Sequence, residues 1–266
     1  TPGAPPSADT IFNGGDLFTA ANWTAGLPAG QTGIASVNGT GTGNQINPWI
    51  SGGTLTVNGG AVLTLGEDLS CYGGTLIVTN AAITCGDDVF CDNGTLILDA
   101  GSAVRSADDW EANDHAGRII VNGGTHSSGP NTDHNVGAQR TGTGIDFRGG
   151  TVIAGNFRFQ ANSISSVSGS AILTSAAPTT TFSDYSGNIN FIPDWTGYWQ
   201  VGSFGHGDWK TVLTSGSNIT LDGNPIDSAT FDTKFKVSPD GTTLSNAMPE
   251  PVVFGGLLFG LALLRR

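Results

Sequence analysis

Gly53-Thr54-Leu55-Thr56-Val57, Gly74-Thr75-Leu76-Ile77-Val78 and Gly94-Thr95-Leu96-Ile97-Leu98 state one motif three times, at steps of 21 and 20 residues. The text between them recurs as well. Gly66-Glu67-Asp68-Leu69-Ser70-Cys71 returns as Gly86-Asp87-Asp88-Val89-Phe90-Cys91, and more loosely as Ala107-Asp108-Asp109-Trp110-Glu111-Ala112. A fixed period of this length, written in β-forming residues, is the signature of coils that stack on one another. Within one period three short apolar alternations (Leu76 and Val78, Ala81 and Ile83, Val89 and Cys91) are separated by Gly, Asn and Asp. That pattern predicts a coil with three faces around a dry interior, and stacked inward columns Leu55-Leu76-Leu96, Val57-Val78-Leu98 and Leu69-Val89-Trp110. The expected fold is all-β: a parallel β-helix or β-solenoid with ~20-residue coils, a β-rich C-terminal cap and a short C-terminal apolar helix.

Working outward, residues 1–42 read as an N-terminal arm and cap, 43–177 as the solenoid, 178–247 as a β-rich C-terminal cap or subdomain, and 248–266 as a tail. Thr1-Pro2-Gly3-Ala4-Pro5-Pro6-Ser7-Ala8 has the look of a mature N-terminus after signal-peptide removal, and of an extended arm. Phe18 and Trp23 have the bulk to cover a first coil. A fourth copy of the motif, Gly117-Arg118-Ile119-Ile120-Val121, shifts its register. Residues 126–144 lack apolar periodicity and read as a surface loop.

The 266 residues include 41 Gly and only 12% charged residues, against averages of ~7% Gly and ~25% charged. Net charge is −12, with ten Lys and Arg in all. Nucleic acid and anionic membranes are poor partners for such a surface, because binding them relies on clustered Lys and Arg. Cations and neutral polymers remain. No cofactor is required by any motif.

Five groups of residues are candidates for chemistry. The acidic pairs Glu67-Asp68, Asp87-Asp88 and Asp108-Asp109 recur at one corner of successive coils, where stacking brings like charges to ~5 Å. Such an oxygen-rich corner suits Ca²⁺; the competing reading is that Asp simply tolerates the turn. Cys71 and Cys91 hold one place in successive repeats, so either a disulfide or two small core residues is expected; Cys85 replaces Leu65 as a core residue. Trp195, Tyr198, Trp199 and Trp209 form either a glycan or partner patch or the core of the cap. His115, His126 and His134 with Asp114 and Asp133 fall in polar text without metal-ligand spacing. For an enzyme acting on polysaccharide, Arg105 and Arg118 near Asp87, Asp88, Asp108 and Asp109 are the available residues.

The chain closes with Pro249-Glu250-Pro251, thirteen uncharged residues (252–264), and Arg265-Arg266. These features resemble the PEP-CTERM sorting signal of secreted bacterial proteins. The resemblance implies a tail held transiently in the inner membrane, recognised by an exosortase and removed, in a Gram-negative-type bacterium. The Gly-Gly-Thr-Leu coils are similar to autotransporter-associated β-strand repeats. Together these imply a secreted protein of the cell surface or extracellular matrix. The expected function is structural and non-enzymatic, with self-assembly into a homopolymer through the solenoid ends and termini. A glycan-binding adhesin and a polysaccharide-degrading enzyme are the alternatives.

Overall fold

The computed structural model describes residues 10–17, 19–22, 24, 34–37, 39–43, 53–114, 116–131, 133–160, 162–175, 181–204, 207–216 and 218–247. Phe18, Trp23, His115, the proline-rich start and the Pro249-Glu250-Pro251 to Arg265-Arg266 tail lie outside the described residues. So does the expected C-terminal apolar helix.

The described chain is a β-solenoid whose strands pair in parallel from coil to coil in three sheets, which in the order the chain visits them have 11, 11 and 7 strands. In one coil Thr75–Val78 lies in the first sheet, Ala82–Cys85 in the second and Val89–Asp92 in the third. All three expected columns form. Leu55, Leu76 and Leu96 are register partners, as are Val57, Val78 and Leu98, and Leu69, Val89 and Trp110. Each of these side chains is at most 1% exposed. Burying one Leu or Val contributes roughly 2 kcal/mol, so a column repeated along the rod is a large share of its stability. The coil turns a corner two or three residues past each first-sheet strand. Asn80 (φ 45°) and Gly101 (φ 73°) sit there in the left-handed region, which explains the Gly and Asn of the repeat.

The stack is longer than residues 43–177. Parallel pairing begins at Thr10–Phe12 with Ile34–Val37 and continues to Asn188–Phe191 with Ile219–Leu221. Arg118–Val121 pairs in line with Thr95–Leu98, so the fourth copy keeps its place although its spacing differs. One of the extra residues is absorbed by an irregularity between Cys91 and Asp92, where Asp92 pairs with Asp114.

Residues 126–144, expected as a surface loop, form a full coil instead. Thr125–Ser127 enters the second sheet, and Asn135–Ala138, buried throughout, the third. The apolar period is hidden there because the interior is filled by His126, Val136 and Ala138, and because Gly137 must be bare. A Cβ on Gly137 would stand 1.7 Å from the Arg158 carbonyl oxygen of the next coil.

Beyond the last parallel strand the direction reverses. Ile219–Leu221 and Asn224–Pro225 make a hairpin, and Thr243–Asn246 pairs antiparallel with both Tyr198–Gln200 and Phe235–Val237. Two short helices complete this cap, α1 (Trp209–Thr214) and α2 (Ser228–Lys234). Asp208 and Asp227 cap them by accepting the N–H of Thr211 and Thr230, each at 2.7 Å. The cap is therefore mixed α and β. It leaves a short outer strand carrying Lys236, which discourages pairing along that edge.

Candidate functional site

The corner leading from the second sheet into the third carries the acidic pairs, and the two members of each pair behave differently. The second members form a ladder. Asp68 Oδ1 accepts the N–H of Asp88 at 3.3 Å, and Asp88 Oδ1 accepts that of Asp109 at 2.9 Å. Asp109 in turn accepts the N–H of Asn135. Each carboxylate thus satisfies a backbone donor of the next coil that the sheet does not reach. From there the ladder loses its charge: Asn135 donates to Asp109 through Nδ2 at 3.4 Å, and Asn156 donates to Asn135 Oδ1 at 3.0 Å. Neither asparagine stands out in the sequence, yet each directly precedes an inward residue, Val136 or Phe157, as the aspartates do.

The first members point to solvent. Carboxylate oxygens of Asp87, Asp88 and Asp108 lie within 4.8 Å of one another. His134 Nε2 stands 3.4 Å from Asp108 Oδ1. Glu67 and Asp68 continue the row one coil earlier.

Burial raises the pKa values of the second members of the pairs. Asp68 and Asp109 are raised, chiefly by burial, although bonds from the next coil's N–H pull the other way. Asp88 is pushed up to about 6 by burial and by the charges of Asp87, Asp108 and Asp109. Glu111, on the outward face of the third sheet, is pushed up to about 8, first by burial and then by Asp109 and Asp88. Glu111 stands beside Asp109, and their interaction raises the carboxyl of Glu111 while lowering that of Asp109. Arg158 acts in the opposite sense. Arg158 is aligned with Glu111 through the bare Gly137 that separates them in the stack.

An acid whose folded pKa is raised holds its proton longer folded than unfolded, so its favourable contribution is lost as pH rises through the folded value. Between pH 6.5 and 8, Glu111 titrates in this way. Wild type is expected to lose about 1.5 kcal/mol over that interval, and Glu111→Gln to lose little and to exceed wild type at pH 8. Urea unfolding at the two pH values reads both effects.

The other candidates are placed as follows. Cys71 and Cys91 are register partners but remain free thiols, as does Cys85, so the disulfide is absent. Both belong to the core, with Cys71 Sγ donating to the Gly74 carbonyl at 3.3 Å and burial raising the Cys91 thiol. Cys85 aligns with Leu65, and burial pushes its thiol up to about 12, far from a nucleophile.

The aromatic patch is not a surface. Trp195, Trp199 and Trp209 are at most 1% exposed, and of the four only Tyr198 reaches solvent. Trp199 contacts Phe157 (5.1 Å between ring centroids) and Trp209 (5.6 Å), joining the last coils to the cap. Trp195 Nε1 donates to the Ala171 carbonyl at 2.9 Å, and Trp209 Nε1 to that of Thr242 at 3.0 Å. Their polar atoms are turned inward, so no stacking platform for sugar exists there.

His126 is likewise internal. Its Nδ1 accepts the Val104 N–H at 3.2 Å and its Nε2 faces the Gly123 carbonyl at 2.7 Å, which defines a neutral ring protonated on Nε2. Burial holds its pKa down to about 4. Arg118 does not join the acidic corner; it pairs with Asp146 at 2.6 Å on the first sheet, and Arg105 is exposed at the end of a second-sheet strand. The arginine arrangement imagined for an enzyme is therefore not assembled. Asp133 stands 3.8 Å from His134 on the exposed side of the corner.

Comparison with protein-family models, with curated proteins and with solved structures finds no match to this chain.

Proposed function

We propose that this protein is a non-enzymatic structural rod, exported to a bacterial surface or matrix, that joins copies of itself end to end. The observation that carries this reading is the parallel stack itself, in register from Thr10–Phe12 to Ile219–Leu221 and closed by a cap at one end only among the described residues. A solenoid of this kind has stiffness and length as its main products, and a first coil with no cap among the described residues is a natural joint. The Pro249-Glu250-Pro251 tail with Arg265-Arg266 supports export through an exosortase, with transient membrane contact before release. Outside the cell, neutral polysaccharide is a compatible neighbour for a surface of net charge −12. Ca²⁺ at Asp87, Asp88 and Asp108 would relieve the repulsion of the acidic corner without being needed for folding.

Negative-stain microscopy of the purified chain, with and without Ca²⁺, tests the reading. Unbranched filaments of one protein's width are expected, longer-lived or more heat-stable with Ca²⁺. Monodisperse monomers under both conditions would overturn it.

A further inference from the structure

The cap does not close flush on the solenoid. Between the last coil, the hairpin and α2 lies a cleft of about 300 Å³. Its floor is aromatic: Phe191 packs against Trp195 (5.2 Å between centroids) and Phe235 (5.4 Å), and all three are at most 5% exposed. Its rim is open and carries Pro193, Pro225 and Lys234, all exposed. A shallow trough rimmed by exposed prolines and by Asp222 and Lys234 suits an extended proline-rich segment, whose backbone loses little freedom on binding because such sequence already favours the polyproline II form.

This chain contains such a segment, Pro2-Gly3-Ala4-Pro5-Pro6, followed by the acidic Asp9 that would meet Lys234 at the rim. It cannot reach its own cleft. Pro2 lies eight residues before Thr10 and so at most ~28 Å from it when fully extended. Thr10–Phe12 and Asn188–Phe191 are separated by eight inter-strand steps of the first sheet, roughly 38 Å at ~4.8 Å each. The reach falls short whatever precedes Pro2 in the chain.

We propose that the cleft at the capped end receives the Pro2–Pro6 segment of a second copy. The contact is head to tail, so it leaves one free cleft and one free arm at the ends of every oligomer and builds open filaments. This rests on the self-assembly reading above and names the joint that reading needs.

Two variants and their mixture test it, read by sedimentation and negative-stain microscopy. Pro5→Ser with Pro6→Ser spoils the arm without touching the fold, and Pro225→Arg obstructs the rim from an exposed position. Each alone is expected to be monomeric. Mixed in equal amounts they are expected to give dimers and nothing longer, because only one intact arm and one intact cleft remain per pair. Wild-type filaments in either folded variant would overturn the docking while leaving self-assembly intact. If wild type itself forms no filaments, self-assembly fails, and the docking is decided by titrating a synthetic peptide of residues 1–9 into the full chain. Saturable change in Trp fluorescence, weakened about tenfold or more by Pro225→Arg, supports the cleft; no saturable change overturns it.

Discussion

Trp199→Ala is expected to cost about 4 kcal/mol of folding stability and to leave the surface unaltered. Trp199 is wholly buried and touches Phe157 and Phe159 of one strand and Trp209 of the cap, so removing it empties a cavity that these rings cannot fill. Losses of this kind come to about 3–5 kcal/mol for Trp, a large part of the 5–15 kcal/mol that holds a typical domain. The check is a urea or thermal unfolding curve of the variant beside wild type. A change below about 1 kcal/mol would mean that the indole does not occupy the junction between solenoid and cap. The same experiment separates the two expectations that the sequence leaves open for this cluster, since a sugar-stacking tryptophan could be removed at almost no cost to folding.

Acidification is expected to act through His126. Its folded pKa is about 4, below the ~6.5 of an unfolded histidine, so the unfolded chain takes up the proton first. Stability from this group is complete above pH 6.5 and is lost as pH falls toward 4, by about 3 kcal/mol in all. Glu111 and, to a lesser extent, Asp88 work against it in part of the same interval, because their raised pKa values favour the folded state on acidification. Asp88 is partly exposed, and solvent screening makes its share the smaller. Comparing His126→Gln with wild type isolates the histidine. The variant is expected to be the less stable at pH 7, having lost the fit to Val104 and Gly123, and its deficit should shrink by about 2–3 kcal/mol near pH 4. A deficit that stays constant with pH would show that His126 is not held neutral inside the coil.

The central coils were legible because there the chain repeats its chemistry as well as its period. Leu55, Leu76 and Leu96 announce one column by identity, and the Asp pairs announce one corner. The coil at residues 126–144 was not legible, for a physical reason: its core positions are held by a neutral histidine, small residues and a glycine, none of which scores as an apolar alternation. His126 occupies an inward place because it supplies an acceptor to Val104 N–H, which the neighbouring strand meets in register only at Arg105 and Ser127. The acidic corner could be located from spacing, whereas the division of labour within each pair could not. Spacing does not tell which carboxylate turns to the next coil's N–H and which to water. Glu111 stayed hidden in the third copy of the repeat, since its partner Arg158 is two coils away and the intervening Gly137 has no side chain to mark the line.

The proton that Glu111 holds beside Asp109 has a mechanical consequence. A rod pulled along its axis carries the load through successive interstrand ladders in series, so its tensile strength is that of the weakest coil. The third sheet crosses this carboxyl pair at Trp110–Asp114. Where the surroundings are alkaline enough to remove the proton of Glu111, two like charges stand side by side on that coil and weaken it, while in mildly acidic surroundings the proton is kept and this repulsion is absent.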